Sequence, residues 1–459
     1  MKTIKIFLIL LFFSLNIFAF DLEKAGKVEV SLKVTEIDTG LYLGEYSYTV
    51  FDDNAECDFD RYFYSRLVEV ELVNEHATDP IDKWKPVQKE ELKASIILLP
   101  PSASNFDFFK IGELKESIAG YLAYKGMDVY GYSPRTMGIL ENDCSLLSFN
   151  KACKKMKTWD LLQYHQDIDK LREEIAKTWK DEKPFIFGFS MGGIIEYTLL
   201  NKDPGAYQGA IIYDGLIYLN PNNDQEKENF IAEYKMASYT FAIASNFQLA
   251  YSMPSSKFRK AHKNNSILNS DQIISEDTFN EKLSEYYDIF NSVVNAPFGL
   301  SPWYRKTTPS EDNHFKYASE AKINSFAARV NYYDIGACYV DIYKTFSRSD
   351  EHYKNLYNYT APTLIIEAGN GVGDYTNDSI KLLGSEEIYY LMGLINKNDP
   401  FENINITIAD SSQRAYYRYL DNQHENIFED FAHFDHWAHE NSLELLVEPV
   451  WEFIYNIIQ

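Results

Sequence analysis

Cysteine and basic residues are scarce in this chain of 459 residues, and it has no glycine loop of the phosphate-binding, nucleotide-binding kind. The four cysteines lack the spacing of a zinc site, so we expect neither a metal nor any other cofactor. Only 44 basic residues stand against 68 acidic ones, which gives a formal net charge of −24. This excess disfavours nucleic acid and anionic membrane surfaces as partners, and we expect it mainly to keep the protein in solution.

Long apolar runs are also rare, and the only one that could enter a membrane is near the N-terminus. Lys2 and Lys5 precede the apolar segment 6–20, and a polar segment follows it. This order is typical of a secretory signal peptide. We expect residues 1–19 to be removed after Ala19, which predicts a periplasmic or secreted protein without a membrane span. An uncleaved anchor is the alternative, since Ile17 is bulky for a cleavage position.

An exported chain meets an oxidising compartment, where an even number of cysteines permits disulfides. Four cysteines allow three ways of forming two bridges. Cys144 and Cys153 flank a short polar loop, whereas Cys57 and Cys338 lie far from the other cysteines in sequence. We therefore expect a disulfide between Cys144 and Cys153. Oligomeric state has no signal in the sequence.

Apolar residues follow two different periods along the chain. Residues 27–50 and 62–73 alternate in steps of two, as antiparallel strands do. From residue 94 onwards, continuous apolar runs such as "ASIILLPP" alternate with helical spacing such as that of residues 158–179. This pattern predicts an α/β fold, in which helices cover both faces of a mostly parallel sheet.

The alternation stops at residue 216 and resumes only near residue 361. The intervening segment is rich in aromatic residues, mostly helical in spacing and far too long for a loop. Strand-like runs return at 361–371 and 403–410, and an amphipathic helix ends the chain. We therefore predict a core domain of residues 28–215 and 361–459 with an inserted, mostly helical cap at 216–357.

The stretch "KPFIFGFSMGG" at residues 183–193 places a serine between two glycines, after a strand and before a helix. A serine hydroxyl reacts only when it stands clear of the backbone and a base removes its proton. A sharp turn from strand to helix exposes Ser190 in this way, and its crowding explains Gly188 and Gly192. The start of the helix also brings the Met191 N–H beside the hydroxyl, as the first donor of an oxyanion hole.

This stretch resembles the nucleophile elbow of the α/β-hydrolase superfamily, whose members often carry a cap where the insertion lies. The family order of serine, acid and histidine implies a base near the C-terminus, where the chain reads "AHFDHWAHE". His433, with Asp435 two places on, resembles the lipase-like "H-x-D" turn and is the implied base. His436 and His439 begin a helix and are interpreted as structural. Their even spacing with His433 does not indicate zinc, because no acidic or cysteine partner motif accompanies them.

The resemblance leaves the acid and the second oxyanion donor less well defined. Because the family's acid follows the strand before the last, Asp374 is the first choice and Asp378 the next. Asp214 is a further alternative, since some members carry the acid one strand earlier. The second donor should follow "IILLPP", where the family often has His-Gly. The prolines there have no N–H, so we expect Ser102, or its neighbour Ala103, to supply the donor.

These features predict an exported serine hydrolase that cleaves an apolar acyl or aryl ester, of a small molecule or a lipid, through an acyl-enzyme. An amidase or peptidase with the same triad is the alternative, because both reactions use the same groups. A binding protein with a hydrolase fold and no activity is a second alternative, which the missing His-Gly favours.

Overall fold

We describe the fold from a computed structural model of the chain. The structure describes residues 28–38, 41–51, 61–72, 84–86, 92–113, 115–138, 159–180, 182–220, 224–246, 253–270, 274–295, 307–308, 310, 314–330, 336–346, 352–368, 370–385, 387–391, 415–418 and 431–459. The predicted signal peptide, the strand predicted at 403–410, Cys144 and Cys153 lie outside these residues. The disulfide and the export signal therefore stay predictions.

Eleven strands of the described residues form one sheet. They are β1 (Val28–Asp38), β2 (Leu41–Phe51), β3 (Arg61–Leu72), β4 (Trp84–Pro86), β5 (Ala94–Leu99), β6 (Met127–Ser133), β7 (Phe185–Phe189), β8 (Gly209–Tyr213), β9 (Thr363–Ile366), β10 (Glu387–Leu391) and β11 (Ala415–Arg418). Their order is β1-β2-β3-β6-β5-β7-β8-β9-β10-β11, with β4 paired to β3. Pairs among β1, β2 and β3 and between β3 and β6 are antiparallel, and those from β6 to β11 are parallel.

Eleven helices accompany the sheet in the described part of the chain. They are α1 (Ile118–Tyr124), α2 (Leu161–Trp179), α3 (Met191–Lys202), α4 (Gln225–Asn246), α5 (Met253–Leu268), α6 (Glu276–Asn295), α7 (Glu320–Arg329), α8 (Gly336–Phe346), α9 (Gly373–Ile380), α10 (Asp435–Ala438) and α11 (Glu448–Ile458). Short 3-10 turns lie at Phe106–Lys110, Arg135–Gly138 and Leu356–Asn358, and a π-helical turn lies at Leu443–Val447.

The central strands separate two apolar cores. Strands β5, β6, β7 and β8 are buried along their whole length, which explains their continuous apolar runs. Ile168 and Leu171 of α2 belong to one core, while Ile118 and Leu122 of α1 belong to the other. Right-handed crossovers account for this, because β6 and β7 lie on opposite sides of β5. The predicted α/β fold class, a parallel sheet with helices, is confirmed.

The inserted segment contributes to both cores. Helix α4 packs with α8, and Phe230 and Phe346 from these two helices lie in the core beside α2. Helix α5 packs with α6 and α7, and Tyr286 and Phe326 lie in the core beside α1. The inserted helices therefore rest on both faces of the sheet, and their described buried aromatic rings serve packing.

Helix α3, which follows the predicted nucleophile, buries a carboxyl group. Glu196 is fully buried, and its Oε1 accepts a hydrogen bond of 3.1 Å from the backbone N–H of Ile211 in β8. A Cβ atom at Gly188 would lie 2.6 Å from Glu196 Oε2. Burial raises the pKa of Glu196 well above its usual value of 4.5. Burial between β7 and α3 therefore favours the protonated form of this carboxyl group.

This burial predicts how stability depends on pH. Because the folded state holds the proton of Glu196 more tightly than the unfolded state, the contribution of this group is fully present below pH 4.5 and is lost as pH rises through the folded pKa. Glutamine stays neutral at every pH. Between pH 4.5 and the folded pKa of Glu196, we therefore expect the free energy of unfolding of Glu196→Gln to rise relative to that of wild type by about 1.4 kcal/mol for each pH unit. Urea unfolding at pH 5 and pH 8 measures the difference. The exposed Glu173→Gln is the control, and an equal pH dependence in wild type and Glu196→Gln would contradict the assignment.

Candidate active site

The predicted nucleophile lies at a strained turn between strand and helix. Strand β7 ends at Phe189 and α3 begins at Met191, so Ser190 alone makes the turn, with φ 57° and ψ −116°. This conformation is rare for a residue with a side chain and costs on the order of 1–3 kcal/mol. Two backbone hydrogen bonds hold it, from Ser190 N to Tyr213 O at 2.9 Å and from Ile194 N to Ser190 O at 3.1 Å. The turn presents a half-buried serine at the carboxyl edge of the sheet.

The two flanking glycines are required by close backbone approach. A Cβ atom at Gly188 would overlap the carbonyl oxygen of Gly192, and one at Gly192 would overlap the carbonyl oxygen of Leu99. Leu99 is the last residue of β5, which pairs with Gly188 of β7. The glycine spacing read from the sequence therefore has the steric reason expected of it.

The predicted base and a carboxylate meet at the same edge. His433 is buried, and its Nδ1 lies 2.5 Å from Oδ2 of Asp214. Its ring centroid is 4.7 Å from that of Phe189, the residue before Ser190. His433 therefore lies beside the serine turn, and its Nδ1 contacts a carboxylate that can orient the ring.

Asp214 is held rigidly by the neighbouring strand and its loop. It follows β8 directly with φ 44°, and its N–H donates to Ile366 O at 2.7 Å. Its carboxylate accepts hydrogen bonds from the N–H groups of Ala368 at 3.3 Å and Val372 at 3.2 Å. A Cβ atom at Gly371 would overlap Asp214 Oδ2. The loop after β9 thus wraps the carboxylate with backbone donors, and its glycine makes room for the acid.

The carboxylate that contacts the histidine is that of Asp214, the further alternative from the sequence. Asp374 is the first choice from the sequence; its backbone lies in α9, and its side chain is outside the described residues. Asp378 instead accepts hydrogen bonds from Asn220 N at 2.8 Å and Lys227 Nζ at 2.6 Å, which ties α9 to the start of the insertion. The signal for Asp214 in the sequence is its place directly after an apolar strand, one strand earlier than the first choice, where some family members carry the acid.

The other two histidines have packing contacts. His436 is fully buried in α10, with its ring 4.8 Å from that of Phe431 and 5.8 Å from that of Tyr213, centroid to centroid. Burial, and then the nearby His439, lower the pKa of His436 to about 3. His439 accepts a hydrogen bond at Nδ1 from Asn441 N at 3.0 Å. A buried ring held neutral and one held by a local turn fit the structural roles expected from the sequence.

The predicted oxyanion donors come from two adjacent elements. Met191 is the first residue of α3, where backbone N–H groups have no partner within the helix. Ser102 lies in the loop after β5, which turns at Ala103 with φ 58° and is closed by a hydrogen bond of 2.9 Å from Ser104 Oγ to Pro101 O. Since the start of this loop lies against Gly192, Ser102 and Met191 belong to the same corner of the site.

A second buried carboxylate lies next to the base. Asp435 Oδ2 accepts hydrogen bonds from Ala432 N at 2.8 Å, from Thr308 N at 3.1 Å and from Thr308 Oγ1 at 2.6 Å. Thr308 belongs to the inserted segment and was not identified from the sequence, because it lies in no recognisable motif. Asp435 therefore links the turn that carries His433 to Thr308 of the inserted segment.

The site lies where ligands are expected in a parallel sheet. The connection from β5 leads to β6 on one side, and that from β7 leads to β8 on the other, so the loops after β5 and β7 separate at the carboxyl edge. A serine at a strained turn, a histidine and an aspartate that contacts it form the set of groups used in acyl transfer.

Among the described helices none is long and apolar enough to cross a membrane.

Comparison with known proteins agrees with this architecture. Residues 111–297 match the family described as serine aminopeptidase, S33. The solved structure of a proposed lipase from Sulfolobus solfataricus is similar with a TM-score of 0.50 and 14% identity, over 93% of this chain and 99% of the other. An esterase from Thermogutta terrifontis has a TM-score of 0.40 and 9% identity, over 88% and 97% of the two chains. No curated protein sequence matches the chain.

The S33 match includes the elbow and runs into the insertion. The Sulfolobus structure shares the fold over nearly the whole chain. Together with the parallel sheet and the turn at Ser190, these similarities confirm the resemblance seen in the sequence. The chain has the α/β-hydrolase fold, and residues 111–297 of it match the S33 family.

Proposed function

We propose that this protein is an exported serine hydrolase that cleaves carboxylic esters with apolar acyl or aryl groups through an acyl-enzyme. The observation that carries the proposal is the hydrogen bond between His433 and Asp214 beside the turn that holds Ser190. Export rests on the N-terminal sequence alone. The non-catalytic alternative is disfavoured, because a binding protein has no need of a buried histidine–aspartate pair at a strained serine.

In the proposed reaction, Ser190 Oγ attacks the ester carbonyl carbon while His433 Nε2 takes the hydroxyl proton. Asp214 holds the imidazole in the required tautomer and stabilises its charged form. The N–H groups of Met191 and Ser102 stabilise the negative oxygen of the tetrahedral intermediate. His433 then gives its proton to the leaving alkoxide, the C–O bond breaks, and an acyl group stays on Ser190.

Water then releases the acyl group from Ser190, and His433 again acts first as the base and then as the acid. His433 removes a proton from water as the water oxygen attacks the acyl carbon, and the second tetrahedral intermediate expels Ser190 Oγ, which recovers the proton. Each turnover thus consumes one ester and one water and releases an alcohol and a carboxylic acid. Every proton transfer in the proposed cycle uses His433.

An amide or peptide substrate is the second candidate, and the match to the serine aminopeptidase family favours it. We rank it second because an amine is a poorer leaving group and makes greater demands on the oxyanion hole. Here the loop after β5 begins with two prolines, which supply no N–H donor. Comparing p-nitrophenyl esters with peptide anilides ranks the two classes, and faster turnover of the anilides would reverse the ranking.

A covalent probe tests the nucleophile. We expect a fluorophosphonate to label the native protein and to leave Ser190→Ala unlabelled, because the probe traps only an activated serine. Labelling is read by intact-protein mass spectrometry after matched exposure. Ser270→Ala is the control, since Ser270 is an exposed serine just after α5 whose Oγ donates to Ile267 O and which belongs to no part of the proposed site. Equal labelling of wild type and Ser190→Ala would eliminate the proposed nucleophile.

Separate replacement of the histidines tests the base. We expect His433→Ala to lose at least about 1,000-fold in kcat on an activated ester, since an unactivated serine scarcely reacts. His436→Ala should keep at least about a tenth of kcat, because its ring is buried against Phe431 and Tyr213. Circular dichroism checks that both variants are folded. If His436→Ala is the inactive variant and His433→Ala is not, the base is misassigned.

A further inference from the structure

Two hydrogen bonds between its first and last residues close the turn at 432–435, which carries His433. Asp435 N donates to Ala432 O at 2.9 Å, and Ala432 N donates back to Asp435 Oδ2 at 2.8 Å. His433 and its neighbour Phe434 lie between these two residues. A reciprocal pair of this kind fixes the backbone on either side of the base, and an acceptor that carries a charge strengthens the bond.

The same carboxylate oxygen also receives two hydrogen bonds from the inserted segment. Thr308 Oγ1 lies 2.6 Å and Thr308 N lies 3.1 Å from Asp435 Oδ2. Asp435 is fully buried and Thr308 is 4% exposed. Removing one donor from such a group is costly, because a buried carboxylate keeps its need for hydrogen bonds.

The inserted segment near Thr308 also contacts the end of α10, the helix that follows this turn. Lys316 N donates to Thr308 O at 2.8 Å, Ser319 N donates to Ala438 O at 2.7 Å, and Lys322 Nζ donates to His439 O at 2.9 Å. The turn of the base is therefore held by Asp214 of the core on one side and by the inserted segment on the other.

We propose that Asp435 and Thr308 are positioning residues: Asp435 fixes the turn that carries the base, and Thr308 couples that turn to the inserted helices. The proposal rests on the proposed function, in which His433 is the base. Proton transfer from serine requires the imidazole to be held within about 0.5 Å of its productive position. Loosening its turn should therefore reduce the rate of chemistry more than it weakens substrate binding.

The chain offers a matched pair of substitutions for the test. Thr308→Val keeps shape and removes the O–H donor to Asp435. Thr307→Val makes the same change one residue earlier, where the buried Thr307 Oγ1 has no hydrogen-bond partner within the described residues. We expect Thr308→Val to lower kcat on a p-nitrophenyl ester about tenfold with KM within about twofold. Thr307→Val should leave both constants within about twofold, and Thr308→Ser, which restores the donor, should recover at least half of kcat.

A double substitution separates positioning from general loss of structure. If Thr308 acts through Asp435, adding Thr308→Val to Asp435→Ala should change kcat by less than about twofold, because alanine offers Thr308 no acceptor and the shared interaction is already lost. Independent effects that multiply would overturn the coupling. Should Thr308→Val not fold, as judged by its unfolding midpoint, Asp435→Ala alone serves, with an expected loss of at least about tenfold in kcat at unchanged KM.

Wild type and Ser190→Ala are measured beside these variants. Turnover by Ser190→Ala equal to wild type would defeat the proposed function, and the positioning role with it. If Ser190→Ala is inactive but Thr308→Val stays within twofold of wild type, or falls no further than Thr307→Val, the positioning role is wrong and the proposed function stands. Failure of Thr308→Ser to recover activity would equally overturn the role of the hydroxyl.

Discussion

The hydrogen bond between Asp214 and His433 is the interaction on which the site depends. It joins residues 219 positions apart in the chain, across the whole insertion. Both partners are buried, so the bond acts in a medium of low polarity, where a charge-assisted contact orients an imidazole firmly. The loop after β9 serves this bond by giving two backbone N–H groups to the carboxylate. Without the aspartate, the histidine would lose both its tautomer and its place beside the serine turn.

Two adjacent strands end in residues of unusual backbone conformation. Ser190 follows β7 with φ 57°, and Asp214 follows β8 with φ 44°. Residues with side chains adopt such values only where the surroundings enforce them, and they occur often at functional sites. The backbone N–H of Ser190 donates a hydrogen bond to the carbonyl oxygen of Tyr213, the residue before Asp214. The proposed nucleophile and acid therefore depend on one stretch of sheet, and the strain of each turn is offset by the packing of β7 and β8.

The α/β fold and the elbow could be predicted because they arise from local patterns: buried strands give apolar runs, and the turn at Ser190 needs glycine on both sides. His433 could be assigned by its place before the last helices. The acid could not, because the segment that forms α9 contains aspartates in plausible positions and only the tertiary arrangement shows which carboxylate reaches Nδ1. Thr308 was out of reach for the same reason, since its contact with Asp435 spans 127 residues.

The measurement that tests the central claim most directly is the turnover of Asp214→Asn beside that of Asp374→Asn. Asparagine keeps the shape of aspartate but cannot stabilise the charged imidazole, and it favours the wrong tautomer. The account predicts that Asp214→Asn loses roughly 10³–10⁴ in kcat on an activated ester, while Asp374→Asn keeps at least about a tenth of the wild-type value. Full activity in Asp214→Asn, with the loss in Asp374→Asn instead, would contradict the assignment of the acid and with it the proposed arrangement of the site.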